Sequence, residues 1–113
     1  MRPGDLLVSP GHSWDEYIGF YRPVPLDRFP MIYFCGKLGG REPMRVELGR
    51  RVADARARGA RVFLARLDEP ASSAGWKELA LFDVAPATVD ALLPAGRRVA
   101  VAPGLERLDP RAP

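Results

Sequence analysis

Leu6, Leu7 and Val8 form an unbroken apolar run, closed two residues later by Pro10 and Gly11. A run this short, bounded by breakers, predicts a buried strand over residues 4–9. Ser13, Trp14, Asp15 and Glu16 then follow the capping-box pattern, in which Ser13 accepts from an early helical amide and Glu16 reaches back. They predict a short helix over residues 14–20, ended before Pro23. Residues 22–30 hold three prolines and read as an extended connection. Met31, Ile32, Tyr33, Phe34 and Cys35 have the β-branched and aromatic character of a second strand, closed by Gly36, Lys37, Leu38, Gly39 and Gly40.

The clearest helix is predicted over residues 42–58. Pro43 suits its first turn, Met44, Leu48, Val52 and Ala55 recur on one face, and Gly59 sits where a left-handed cap is wanted. Glu47 with Arg51 and Asp54 with Arg58 are i,i+4 pairs, each contributing a few tenths of a kcal/mol. Residues 61–67 read as a third strand whose nearly continuous Val62, Phe63, Leu64 and Ala65 suit a sheet covered on both faces. Residues 68–75 form a loop, Trp76, Leu79 and Ala80 have helical spacing, and a further helix is expected near Pro86 to bury Val89, Leu92 and Leu93. Val99, Ala100, Val101 and Ala102 make a last strand, and the tail from Pro103 predicts no element. This β-α-β-α-β-α-α-β order implies a small three-layer, Rossmann-like α/β domain with a mostly parallel sheet of about four strands.

At 113 residues and 47% hydrophobic content the chain has material for one core, so residues 1–113 are expected to form a single domain. The net charge of +3 comes almost wholly from arginines that alternate with alanine and acidic residues, which predicts a solvated surface and no nucleic-acid partner. No run approaches the roughly 20 apolar residues of a membrane span, and no signal-peptide pattern opens the chain. The lone Cys35 allows no internal disulfide, and the lone His12 offers no metal-ligand spacing, so neither a metal nor a cofactor is expected.

In open α/β folds ligands bind beyond the carboxyl ends of the strands. The first such loop brings Ser9, His12, Trp14, Asp15, Glu16 and Tyr17 together. There His12 is a candidate general acid or base oriented by Asp15 or Glu16, with Trp14 or Tyr17 stacking on a sugar or base. Helix capping by Ser13 and Glu16, packing of Trp14 and Tyr17, and a structural His12 account for the same residues without chemistry. The second loop places Lys37, Gly39, Gly40 and Arg41 between a predicted strand and a helix start, where amides and the helix dipole can hold an anion. Neither phosphate-binding fingerprint is present in it, and glycines of this kind also serve simply to turn a loop. A hydrolase built on Ser9 and His12 lacks the nucleophile-elbow motif, and Cys35 reads as a small buried hydrophobe.

Gly4-Asp5-Leu6-Leu7-Val8-Ser9-Pro10-Gly11, Trp14-Asp15-Glu16-Tyr17, Ala60-Arg61-Val62-Phe63-Leu64-Ala65 and Gly75-Trp76 with its leucines carry a family resemblance. Together they resemble the soluble C-terminal portion of polytopic bacterial membrane proteins, lipid-phosphate-sugar-dependent glycosyltransferases related to protein mannosyltransferases. The resemblance implies a domain excised from a larger membrane protein, facing the extracytoplasmic side and accessory to catalysis. It would engage an acceptor or the membrane portion of the same protein, while transfer itself belongs to that portion. The alternative is a free-standing cytoplasmic domain that binds a nucleotide or sugar phosphate. A third expectation, ranked below both, is a small hydrolase or transferase using His12.

Overall fold

The computed structural model describes residues 2–11 and 27–110, so the helix predicted over 14–20 lies outside the described residues. The elements run β1 (Leu6–Ser9), β2 (Asp27–Pro30), α1 (Met31–Leu38), α2 (Arg41–Ala57), β3 (Val62–Ala65), α3 (Ala74–Ala80), a single 3-10 turn (Val89–Ala91), β4 (Arg97–Ala102) and β5 (Leu105–Asp109). They form an α/β fold around a five-stranded mixed sheet of order β2-β1-β3-β5-β4. β2, β1 and β3 are mutually parallel, whereas β5 runs antiparallel to β3 and β4 antiparallel to β5.

β1 and β3 are buried at every position, as their uninterrupted apolar runs require. Alternation along the strands sorts their side chains onto two faces. Leu6, Val8, Val62 and Leu64 join Phe29 and the inward stripes of the helices, including Met44, Leu48, Val52, Trp76 and Leu79, in the main core. Leu7, Phe63 and Ala65 turn to the other face and meet Leu105 in a smaller cluster. Fully burying each Leu- or Phe-sized side chain contributes about 1.5–3 kcal/mol, so the main cluster dominates stability. Asp5, buried just before β1, is held there by the amides of Arg2 at 2.8 Å and Arg61 at 2.9 Å.

Four expectations are corrected. Residues 31–35 are not a strand but the first turn and a half of α1, because Met31, Phe34 and Cys35 share one buried helical face while Tyr33 points out. Phe34 stacks on Phe29 with ring centroids 4.1 Å apart and fixes that helix against the end of β2. The proline-bearing connection instead supplies β2, an edge strand ending on Pro30, where a missing ladder donor costs little. The helix expected from Pro86 is cut to the 3-10 turn: the Thr88 hydroxyl exchanges hydrogen bonds with the Ala85 backbone and holds a local turn. The tail beyond Pro103 is β5, which makes the sheet mixed with five strands instead of mostly parallel with four.

The long helix matches its expected position within one residue at each end. Glu47 meets Arg51 as expected, at 3.6 Å. Arg58 does not turn back to Asp54; it reaches Asp27 on β2 at 3.2 Å and ties the C-terminal end of α2 to the sheet.

Candidate functional site

Three parallel strands deliver their carboxyl ends to one rim. At the exit of β1 the Ser9 side chain is buried and its hydroxyl donates to the Gly11 carbonyl at 2.8 Å. The Ile32 amide donates to the Pro10 carbonyl at 3.1 Å, which pins the first turn of α1 to the same exit. α3 closes over it: a Cβ added to Gly11 would lie 3.2 Å from the Gly75 Cα, so a side chain there would have to push the α3 backbone back by a few tenths of an ångström. The Ser9 hydroxyl is thus engaged in turn geometry and faces a packed backbone. Of the other candidates in this loop, His12, Trp14, Asp15 and Tyr17 lie outside the described residues.

The second predicted loop has a different setting. Gly36, Lys37 and Leu38 belong to α1, and Gly39 and Gly40 form a helix-to-helix turn in place of the expected strand-to-helix loop. Gly39 takes the left-handed conformation with φ 88° and caps α1. Both glycine amides donate to the Cys35 carbonyl, at 3.1 and 2.9 Å, so these two donors are already engaged. Lys37 extends over the Tyr33 ring with its Nζ 5.5 Å from the centroid. Arg41 pairs with the Asp83 carboxylate at 3.0 Å and with its carbonyl at 3.1 Å. Burial pushes the Cys35 thiol up, away from the thiolate a nucleophile needs.

The open part of the carboxyl rim lies one strand further along. Arg66, at the exit of β3, adopts the left-handed conformation with φ 63° and donates its amide to the Gly104 carbonyl at 2.8 Å. That bond draws the β3 exit to the Pro103-Gly104 turn at the tip of the β4–β5 hairpin. Between them runs a groove of about 450 Å³, lined by Asp68 and residues 100–106. A register shift between Ala100 and Ala102 turns Val101 outward, leaving it 43% exposed on this wall. Arg98 grips Glu106 with bonds of 2.6 and 3.1 Å and also meets Asp90 at 2.6 Å. The hydrogen bonds to Glu106, with Asp90 adding to them, raise the Arg98 guanidinium above its ordinary value.

The groove therefore combines an apolar floor of alanine, valine and leucine with two carboxylates, Asp68 exposed and Glu106 fixed. The sequence points to neither, because Asp68 lies in a loop and Glu106 in a tail whose pattern predicts no strand. The signal was present in Pro103-Gly104, a turn dipeptide between two short runs of strand character. None of the described helices is long and apolar enough to cross a membrane. Comparison of the chain with protein-family models, with curated proteins and with solved structures finds no match.

Proposed function

We propose that this chain is a recognition domain without transfer chemistry of its own, and that it holds a neutral sugar or another hydroxyl-rich group at the hairpin-tip groove. In this proposal it is accessory to a membrane glycosyltransferase-like protein and faces the extracytoplasmic side. The resemblance in residues 4–11, 14–17, 60–65 and 75–76 supports that placement. The observation that carries the recognition role is the groove itself, whose two carboxylates stand beside an apolar floor. Carboxylates accept hydrogen bonds from sugar hydroxyls, and small apolar side chains take the C–H face of the ring. The exposed Asp68 carboxylate also disfavours a phosphate at this rim, while the Glu106 charge is offset by Arg98.

The test is an amide chemical-shift titration of the chain with methyl mannoside and methyl glucoside, paired with an assay of sugar release from a short-chain polyprenyl-phosphate sugar. Shifts confined to Asp68 and residues 100–106, lost in Asp68→Ala, with no sugar release, are expected. Silence at those amides removes the sugar site. Sugar release that disappears in His12→Ala replaces the accessory role with a catalytic one.

A further inference from the structure

At the opposite rim, where β5 ends beside the start of β3, a second groove of about 190 Å³ is lined by Arg56, Gly59, Ala60, Arg61, Val62, Arg107, Leu108, Asp109 and Pro110. Three arginines and one carboxylate-bearing residue contribute to its lining, the Arg61 guanidinium being turned toward Asp5 and the Phe63 ring. Arg107 holds Asp109 by two bonds, of 2.6 and 3.0 Å, and keeps that carboxyl below its ordinary range, with the charges of Arg97 and Arg56 adding to the effect. The other two arginines are poorly satisfied. Arg56 reaches only the Ala95 and Leu108 carbonyls, at 3.4 and 3.5 Å. Arg61 meets the Asp5 carboxylate with a terminal nitrogen at 3.4 Å and lies over the Phe63 ring at 5.3 Å. The Nε–H groups of both arginines are closed off from the surface and have no acceptor among the described residues.

Side-chain hydrogen bonds from guanidinium to oxyanion normally run at about 2.7–2.9 Å, so donors held at 3.4–3.5 Å leave much of their interaction unmade. A compact anion with several acceptor oxygens supplies closer partners to the terminal nitrogens. The partial negative charge at the C-terminal end of α2, about half an elementary charge, and the Asp109 and Asp5 carboxylates oppose such a ligand, so the three arginines carry a net excess of one positive charge over the two carboxylates until Asp109 moves away. The space is below the roughly 300 Å³ at which sites for whole drug-sized ligands begin, so it suits an anionic group and not an entire nucleotide.

We propose that this arginine groove binds a phosphate group, Arg56, Arg61 and Arg107 forming the cradle and Asp109 swinging aside. The site is independent of the sugar groove: it lies at the other end of the sheet and shares no lining residue with it. Arginine forks match phosphate oxygens in pairs, and the apolar walls of Ala60, Val62, Leu108 and Pro110 lower the local dielectric around the contact. The phosphate can come from a soluble ester or from a lipid headgroup.

Three probes distinguish the sources: inorganic phosphate, glucose 1-phosphate, and phosphatidylcholine vesicles with and without phosphatidic acid. Binding is read from amide shifts of Ala60, Val62 and Leu108 and from vesicle flotation, at low and physiological salt. Phosphate and glucose 1-phosphate shifting these amides, without vesicle capture, assigns a soluble ester. Capture only by vesicles containing phosphatidic acid assigns a lipid. In either case Arg107→Gln and Arg56→Gln are each expected to weaken binding at least tenfold, and affinity is expected to fall as salt rises. Arg107→Gln leaves the Asp5–Arg61 contact untouched and so separates loss of binding from loss of folding. Failure of all three probes, or unchanged affinity in both variants, overturns the site, whatever the sugar titration at the other rim returns.

Discussion

The two halves of the sheet are stabilised by different physics. The parallel half, β2-β1-β3, is built from β1 and β3, which have no exposed residue, and it carries the helices. The antiparallel half, the β4–β5 hairpin, buries only Leu105 and Leu108, sets them among half-buried arginine–carboxylate pairs and leaves Val101 exposed. Burial of contiguous apolar area is large and non-directional, whereas exposed and half-exposed ion pairs contribute about 0–1 kcal/mol each. The hairpin is therefore the part of the sheet expected to open first, and both candidate grooves border it.

The strongest way to break this contrast is to cut a methyl-rich side chain from each half. Leu64→Ala in β3 is expected to cost about 2–5 kcal/mol in chemical denaturation, because the cavity opens inside the main cluster. Val101→Ala in β4 is expected to stay within about 0.5 kcal/mol of the parent chain. Equal costs at the two positions would erase the distinction.

A smaller effect comes from Asp5. Burial alone would raise its carboxyl, but the Arg2 and Arg61 amides and the nearby guanidinium charge outweigh burial and hold it below 3.8. A carboxyl lowered in the folded state contributes stability that is complete above its unfolded value and is lost as pH falls through the folded one. Denaturation at pH 7 should show Asp5→Asn costing about 1–3 kcal/mol, while the difference between variant and parent shrinks below pH 4. A difference that stays constant down to pH 2 would mean that the charge on Asp5 is not what these donors hold.

In the hairpin, Arg98→Met is expected to cost only about 1 kcal/mol despite its two carboxylate partners, since all three groups remain in contact with solvent. Hydrogen exchange sharpens the point: amides of β4 should exchange faster than those of β1 in the parent chain, and faster still in this variant. The smallest change has the opposite sign. Gly36, inside α1, has nothing within 4 Å of an added Cβ, so Gly36→Ala should raise stability by about 0.5–1 kcal/mol.

Legibility followed the same division. β1, β3 and α2 could be read from the chain because their burial is nearly complete or strictly periodic, and such patterns leave little choice of conformation. β5 could not, since Glu106, Arg107 and Asp109 interrupt its apolar residues, and the partners that satisfy those charges become visible only once the strands are paired. α1 is disguised in the sequence for a different reason. Met31, Phe34 and Cys35 do have helical spacing, but the aromatic and β-branched side chains between them imitate a strand over so short a window. The proposed groove was not legible, because it depends on Asp68 and Glu106, which only the hairpin brings together, while the Ser9 hydroxyl at the β1 exit is taken up by the Gly11 carbonyl.

The register shift in β4 has a consequence for life at high concentration. A strand edge reading Val99-Ala100-Val101-Ala102, unpaired among the described residues and with no proline to interrupt it, is a template onto which a neighbouring molecule's backbone can add. The shift between Ala100 and Ala102 breaks the flat ladder such addition requires, and Arg97 and Arg98 guard its start with charge. A single irregular step thus works against edge-to-edge stacking of one chain on another.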